Sequence, residues 1–449
     1  MNSSVPKPAS YHKNPSAVDF ESTHESHSLD EKRKISEPDD GCPPPDKGYA
    51  WVILASSLVN FLFSFGSPNA FGVFQAYYLK VLFVDEPAEK IAWISTMCIA
   101  CTLSGGLLAS PLIRLIGLRN SSLLGTVIAS VGLLLASFST QIWQLTLTQG
   151  IMFGLGSSII ANIALTVPAL WFDKHKGLAI GIVASGSSIG ALVLVPVVTV
   201  FVNILDIHWA FRILAILFLV CTGICGFFLK PRKEYLPSNK LIDLASLKDP
   251  AALMIYAVGV FMQVGFNVVA LYFPANLIDV GKSPATASNL IMVYCAFSSI
   301  SRMACGPLTK KFDAVNIALV SHFLTGVLML TLWLTSKTFV PLLIFYICFG
   351  LFAVPFFALG PLIIASYYPI EKVSQINGVA YLAMGLTIFA CAPTTGAIFE
   401  NLGHRTSYKP IIILGGIFYL ASLFPLIALK YFLKRDNPNF RNNTSSLKK

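Results

Sequence analysis

Charge is what this sequence has least of. Asp, Glu, Lys and Arg together make up 12% of its 449 residues, where a soluble globular chain carries about 25%. Acids are scarcer still: twelve long apolar stretches run through residues 50–432, and as the sequence delimits them none contains an Asp or Glu. The buried carboxylate that usually carries the proton of a coupled transporter is therefore missing from the spans. The same poverty excludes a membrane enzyme, because spans without acids and with few His cannot assemble a nucleophile–base pair, a carboxylate dyad or a metal cluster. Cysteine is limited to nine residues, eight of them in the spans (Cys98, Cys101, Cys221, Cys225, Cys295, Cys305, Cys348, Cys391), so no disulfide framework is implied. Cys98-x-x-Cys101 reads as small packing residues, and Cys42 falls in a polar tail. The first 45 residues lack the basic start and apolar core of a signal peptide. Their Ser, Pro and mixed charge read as disorder, and His24-Glu25-Ser26-His27 is one residue short of a zinc-protease motif. No cofactor and no metal is expected.

What the sequence does have is hydrophobicity: 55% of residues are apolar and mean hydropathy is +0.69. A span needs about 20 apolar residues, and only helices or closed barrels satisfy the backbone in lipid. The runs are too long for barrel strands, so they predict an all-α polytopic membrane protein. The predicted helices cover 50–79, 91–113, 120–139, 143–171, 177–201, 209–229, 250–274, 285–308, 315–336, 339–368, 374–398 and 410–432. With twelve spans both termini share one side. The tails and loops of that side hold 23 of the 32 Lys and Arg, against 6 in the opposite loops. By the positive-inside rule both termini are cytoplasmic. The net charge of +10 is thus mostly a topology signal, with no nucleic-acid partner implied.

The polar segment 230–249 separates six spans from six. It divides the chain into a disordered tail (1–48), an N-terminal six-helix bundle (49–229), a cytoplasmic linker (230–249), a C-terminal six-helix bundle (250–433) and a basic tail (434–449), the last expected near anionic headgroups. Landmarks recur about 200 residues apart. Gly106 and Gly306 fall near the ends of spans 2 and 8, and Gly150 and Gly350 in spans 4 and 10. Trp171-Phe172-Asp173-Lys174 ends span 4 much as Tyr367 to Lys372 ends span 10. A 6+6 repeat of this kind places a substrate path between the halves near the midplane and works by rocking one half against the other. Span 5 adds Gly177-x-x-x-Gly181 and Gly186-x-x-x-Gly190, small-residue faces that let helices approach closely.

The segment Pro45-Asp46-Lys47-Gly48-Tyr49-Ala50-Trp51-Val52 resembles the D-G-G-[YFW]-[GA]-W-x-V signature opening span 1 of the monocarboxylate transporter family, within the major facilitator superfamily. Thr148-Gln149-Gly150 through Trp171-Phe172, Gly177-Leu178-Ala179 and Gly186-Ser187 to Gly190 is similar to that family's stretch across spans 4 and 5. Trp209-Ala210-Phe211-Arg212 and Gly378…Pro393…Gly396 fit as well. The likeness covers all but the tails and is nearest the fungal branch. It implies a 6+6 pseudo-symmetric major facilitator fold, alternating access, and signature or gating roles for Asp46, Gly48, Trp51, Gly150, Gly186, Gly190 and Gly306. The departures lie where the family's chemistry lies. The animal members' Pro-Lys pair in span 1 is Pro68-Asn69 here. Their Asp four residues before the span-8 Arg is Ser298, with Arg302 retained. Lys47 replaces a Gly, Arg114-Leu115 stands where an Asp-Arg pair is common, and Lys310 takes an acidic position.

Arg302 is the first candidate for the solute path, since a lone Arg in a span costs roughly 2.5–3.5 kcal/mol and a guanidinium can grip a carboxylate through two parallel bonds. Snorkelling to the cytoplasmic face is the alternative. Ser298 lies one turn away on the same face, and Asn69, Asn162, Gln263, Asn267 and Tyr272 are further polar lining candidates. His322 is expected near a helix end, and Trp51, Trp143, Trp171 and Trp209 in interfacial belts. An anion meeting an unpaired Arg needs no proton at the site. The residues therefore point to a secondary transporter moving a small organic solute, a monocarboxylate-like anion or a polar neutral molecule, by uniport or exchange. Proton symport ranks second, and a non-transporting solute sensor is the reading from another class. The partners expected are the solute and the lipid bilayer, with no obligate protein partner. The plasma membrane is the default location, with a vacuolar or other internal membrane as the alternative.

Overall fold

The computed structural model describes residues 43–233, 235–237, 247–336, 338–404 and 407–436. Cys42 and the His24–His27 run lie outside these. Everything below belongs to the compact unit Pro44–Lys449. Among the described residues there are twelve helices long and apolar enough to cross a membrane and no strand. They are α1 (Tyr49–Leu82), α2 (Lys90–Ile116), α3 (Leu118–Ala136), α4 (Ile142–Trp171), α5 (Lys176–Ile204), α6 (Ile207–Phe228), α7 (Pro250–Asp279), α8 (Thr286–Thr309), α9 (Ala314–Trp333), α10 (Phe339–Tyr367), α11 (Ile370–Asn401) and α12 (Lys409–Arg435). Several outrun the hydropathic runs. Helix α7 extends to Asp279 and α11 takes in Glu371 and Glu400, so acids do enter the helices, but only at their terminal turns. Helical hydrogen bonding continues past the apolar segment, which is why hydropathy alone ends a helix too soon. Helix α10 is interrupted at 353–355, where Pro355 has no N–H to offer the ladder.

Glycines set the closest helix approaches. A Cβ on Gly190 of α5 would lie 2.8 Å from the Cα of Gly66 in α1, and one on Gly186 would lie 3.0 Å from Leu58 O; these two helices pack backbone to backbone. The other glycine pair of α5 turns to the second half of the chain. Gly177 faces Thr309 and Gly306 of α8, and Gly181 faces the Arg302 carbonyl. Helices α2 and α11 make the matching contact, with Gly378 against Gly106 O and Leu107, and Gly385 against Ala100 O. The recurring glycines have equivalent neighbours: Gly150 of α4 rests on Met97 of α2, and Gly350 of α10 on Phe297 of α8.

The face where residue 43 enters, here the tail face, is held by two aspartates at equivalent places. Asp46, in the left-handed region at φ 61°, accepts N–H bonds from Asp173, Lys174 and His175 at 3.0–3.1 Å and so caps the start of α5 from a distant part of the chain. Gly48, also at positive φ, turns the chain into α1. Asp249 caps α7 through Ala251 N (3.0 Å) and accepts the Tyr368 hydroxyl at 2.5 Å. Each acid ties the start of a half to the end of its fourth helix. Trp171 belongs to this cluster rather than to a lipid belt: it is fully buried, packs against the Tyr49 ring at a tilt, centroids 5.5 Å apart, and donates Nε1–H to Lys230 O at 2.8 Å. Trp51, Trp143 and Trp209 are exposed on the bundle surface. His322 is not a helix-end residue. It lies in the middle of α9, fully buried, with Nδ1 2.7 Å from Ser422 Oγ of α12, because α9 starts eight residues earlier, at Ala314.

Burial by itself raises the Asp46 carboxyl pKa, but the three backbone N–H groups and then His175 outweigh it, so the net shift is below the ordinary 3.8. A folded value below the unfolded one, about 3.9, gives stability that is present above that pH and lost as pH falls through the folded value. Asp46→Ala is expected to cost about 0.5–2 kcal/mol of stability at neutral pH, as for loss of a helix cap. The gap to wild type should close below about pH 4. Thermal unfolding of both proteins across pH checks this, and a gap that persists in acid would contradict the capping role.

Candidate solute path between the two halves

The halves meet chiefly where α5 faces α8 and α2 faces α11, and among the described residues the side-chain hydrogen bonds at those contacts join neutral groups and one cation, Arg302. Asn162 of α4 and Ser374 of α11 bond reciprocally: Asn162 Nδ2 donates to Ser374 O at 3.1 Å, and Ser374 Oγ donates to Asn162 Oδ1 at 2.7 Å. Ser188 of α5 shares a 2.8 Å hydroxyl bond with Ser298 of α8. Arg302 donates from Nη1 to Ala184 O at 2.8 Å and to Ser187 Oγ, both on α5. Its Cζ lies 5.1 Å over the Phe357 ring. No carboxylate among the described residues pairs with it. At 6% exposure it does not snorkel. It is a buried cation held by helix carbonyl, hydroxyl and ring.

Two narrow crevices flank these bonds. One, with room for about 20 Å³, lies between α7, α10 and α11 and is lined by Ile255, Gly259, Phe356, Phe357, Gly360, Pro361, Ile364, Asn377, Ala380, Tyr381 and Met384. The other, with room for about 10 Å³, lies between α1, α2, α4 and α11 and is lined by Phe65, Thr102, Leu103, Gly106, Ser158, Ala161, Asn162, Leu165 and Tyr381. Tyr381 is common to both, with its ring 6.4 Å from that of Phe65. Neither crevice has a charged side chain in its lining. The break in α10 puts Phe356 and Phe357 at the crevice wall, so irregular backbone occurs where it borders a cavity rather than lipid.

The structure brings together only some of the residues predicted from sequence. Arg302, Ser298 and Asn162 lie at the contact between halves, Arg302 and Ser298 both facing α5. Asn69 is exposed on α1 and bonds its own helix at Phe65 O, 2.8 Å away. Gln263 and Asn267 bond each other weakly along α7 at 3.5 Å, and Tyr272 packs on Phe399 of α11 at 5.4 Å. None of these last four borders either crevice. Of the signature residues, Gly186 and Gly190 space α5 from α1, Gly150 spaces α4 from α2, and Gly306 sits in the α5–α8 contact. Residues missed from sequence are Tyr381, Asn377, Ser374, Phe356 and Phe357. Ser374, Asn377, Tyr381 and Met384 recur at helical spacing on one face of α11, a stripe visible in the sequence but without a charge to draw attention to it.

The pattern described as Major Facilitator Superfamily matches residues 48–275 and again 253–448. The chain belongs to this superfamily. It is therefore an integral membrane transporter and not an enzyme. The match to both parts of the chain agrees with the repeated aspartates and glycines. The transporter is 28% identical over 409 residues to MFS transporter asaE of Aspergillus flavus, covering 88% of this chain and 91% of that one. It is 26% identical over 368 residues to the fujikurins efflux protein of Gibberella fujikuroi, covering 80% and 78%. Among solved structures it is similar in fold to the human organic anion transporter MFSD10, with TM-score 0.67 and 10% identity over 85% of this chain and 100% of that one. The proton:xylose symporter XylE is similar too, with TM-score 0.64 and 14% identity over 84% and 94%.

Proposed function

We propose that the protein moves a small organic solute between its halves by alternating access, as a uniporter or exchanger, with both termini in the cytoplasm and the bundles divided at 230–249. The observation that carries this reading is the pair of uncharged crevices meeting at Tyr381, bounded by hydrogen bonds that join the halves and involve no carboxylate. A neutral polar solute fits that lining better than a monocarboxylate anion, because Arg302 is already held by α5. The monocarboxylate reading rests on the resemblance in spans 1, 4 and 5. The efflux named for relatives, fujikurins in one and agnestins in another, supports outward movement of a metabolite, with the plasma membrane as the site.

Uptake of radiolabelled pyruvate into proteoliposomes, with and without an inward proton gradient, tests the mechanism. No gradient-driven accumulation is expected. Accumulation driven by the gradient would overturn uniport and exchange in favour of proton symport. Saturable uptake that ignores the gradient would establish uniport or exchange and restore the monocarboxylate as solute.

A further inference from the structure

Asn377 is out of place as a packing residue. It lies seven residues into α11, about 10 Å from the tail-face end of the helix, and is 2% exposed. Neither its Nδ2 nor its Oδ1 has a hydrogen-bond partner among the described residues. Each buried polar group left so costs about 1–3 kcal/mol, and Asn has no helix propensity to offset that. Its side chain borders the larger crevice, whose other polar residue is Tyr381 and whose remaining wall is Gly and apolar side chains, among them Phe356, Phe357 and Met384.

We infer that Asn377 recognises the solute through a planar group carrying a donor beside an acceptor, such as a primary carboxamide or a lactam, and that the solute's apolar ring or chain occupies the wall of Phe356, Phe357 and Met384. The inference rests on the crevice being the solute path. A carboxamide side chain presents N–H and C=O side by side. A second carboxamide completes two parallel hydrogen bonds with it and satisfies both orphan atoms at once. An ionised carboxylate brings two acceptors, leaves Asn377 Oδ1 facing a negative oxygen, and enters a wall with no cation. A site built on such a pair discriminates strongly against a solute lacking it, because its buried groups are then left unpaired. Charge separates the two solutes in the same direction only in part, since the crevice lining holds no cation but Arg302 lies behind Phe357.

Benzamide and benzoate share one shape and differ in this pair and in charge, so the Asn377 variants isolate the contribution of the pair. Binding of each to the purified full chain at about pH 7.5, followed by calorimetry, is the test. Benzamide is expected to bind at least about tenfold more tightly than benzoate. Asn377→Leu, similar in size, is expected to weaken benzamide by on the order of tenfold to a hundredfold while unfolding at the same or a higher temperature. Asn377→Ala should show the same loss of binding. Equal or tighter benzoate binding, benzamide binding untouched by Asn377→Leu, no binding of either probe, or a drop in unfolding temperature marking a structural amide would each overturn the proposal. Ala380→Trp, which fills the crevice, separates this failure from a wider one. Binding lost in Ala380→Trp but kept in Asn377→Leu would leave the crevice as the solute site and remove only the amide recognition. Binding kept in both would remove the crevice itself.

Discussion

Arg302→Met is expected to leave the protein as stable as wild type or more so while cutting solute flux by about tenfold to a hundredfold. The stability side follows from desolvation. The guanidinium is 6% exposed and has no acid partner, and exchanging such a buried charge for an apolar side chain of similar size is often neutral or stabilising by about 1–4 kcal/mol. Against that stands one carbonyl, Ala184 O, which loses its 2.8 Å donor at a cost of about 1–3 kcal/mol. The flux side follows from where the bonds lie. Both run from α8 to α5, across the contact that must open and close. Hydrogen bonds to a charged group contribute roughly 1.5–3 kcal/mol, and about 1.4 kcal/mol is tenfold in an equilibrium, so losing them shifts the balance between closed and open tail faces by about that factor or more. Arg302→Lys keeps the charge but not the planar fork and should fall between. Thermal unfolding and solute counterflow measured on the same preparations check both halves of the expectation. Undiminished flux in Arg302→Met would reduce Arg302 to a packing residue.

The second large effect contrasts two glycines given the same methyl group. In Gly190→Ala the new Cβ would sit 2.8 Å from Gly66 Cα, inside the α1–α5 contact of the first half. Neither backbone can yield without repacking that half, and overpacking of this kind costs about 1–3 kcal/mol, more than the roughly 1 kcal/mol gained in helix propensity. In Gly306→Ala the Cβ would meet Leu178 N at 2.5 Å and Gly177 C at 2.7 Å, but here the neighbour belongs to the other half. The strain can be relieved by the halves moving apart as bodies. Gly190→Ala should therefore lower the unfolding temperature with little change in which face is open. Gly306→Ala should keep most of its stability and favour the open tail face. Alkylation of neighbouring Cys305, 2% exposed in this structure, reads the difference: it should quicken in Gly306→Ala and not in Gly190→Ala. Equal behaviour of the two variants would mean that the α5–α8 contact is as static as the α1–α5 contact.

The fold was legible because lipid imposes one demand throughout, an internally satisfied backbone on about 20 apolar residues, and because small residues record close approach wherever it occurs. Gly177, Gly181, Gly186 and Gly190 are all contact points in the structure, although nothing in their spacing says that the first two face α8 and the last two α1. Asp46 was recognisable from its motif. Asp249, its counterpart, was hidden because the sequence around it, Lys248-Asp249-Pro250, shares only the acid. Helix ends were misjudged because a hydropathic run ends before the hydrogen-bond ladder does, whereas the buried Trp171 and His322 were misjudged because packing against distant segments decides what covers a side chain.

The site was less legible than the fold. Sequence alone determined the number of helices, the scarcity of acids and the presence of one unpaired Arg in span 8, since each follows from residue type and spacing. Tertiary structure decided the partners. Arg302 turns to carbonyl and hydroxyl groups on α5, 118 and 115 residues away in the chain, and Asn162 finds Ser374 at a separation of 212. Asn377 is left with both amide atoms unpaired beside a crevice. The reason is physical: a charge announces its cost of burial in any sequence, whereas a neutral amide becomes costly only when packing has removed every partner, and that depends on how twelve helices meet.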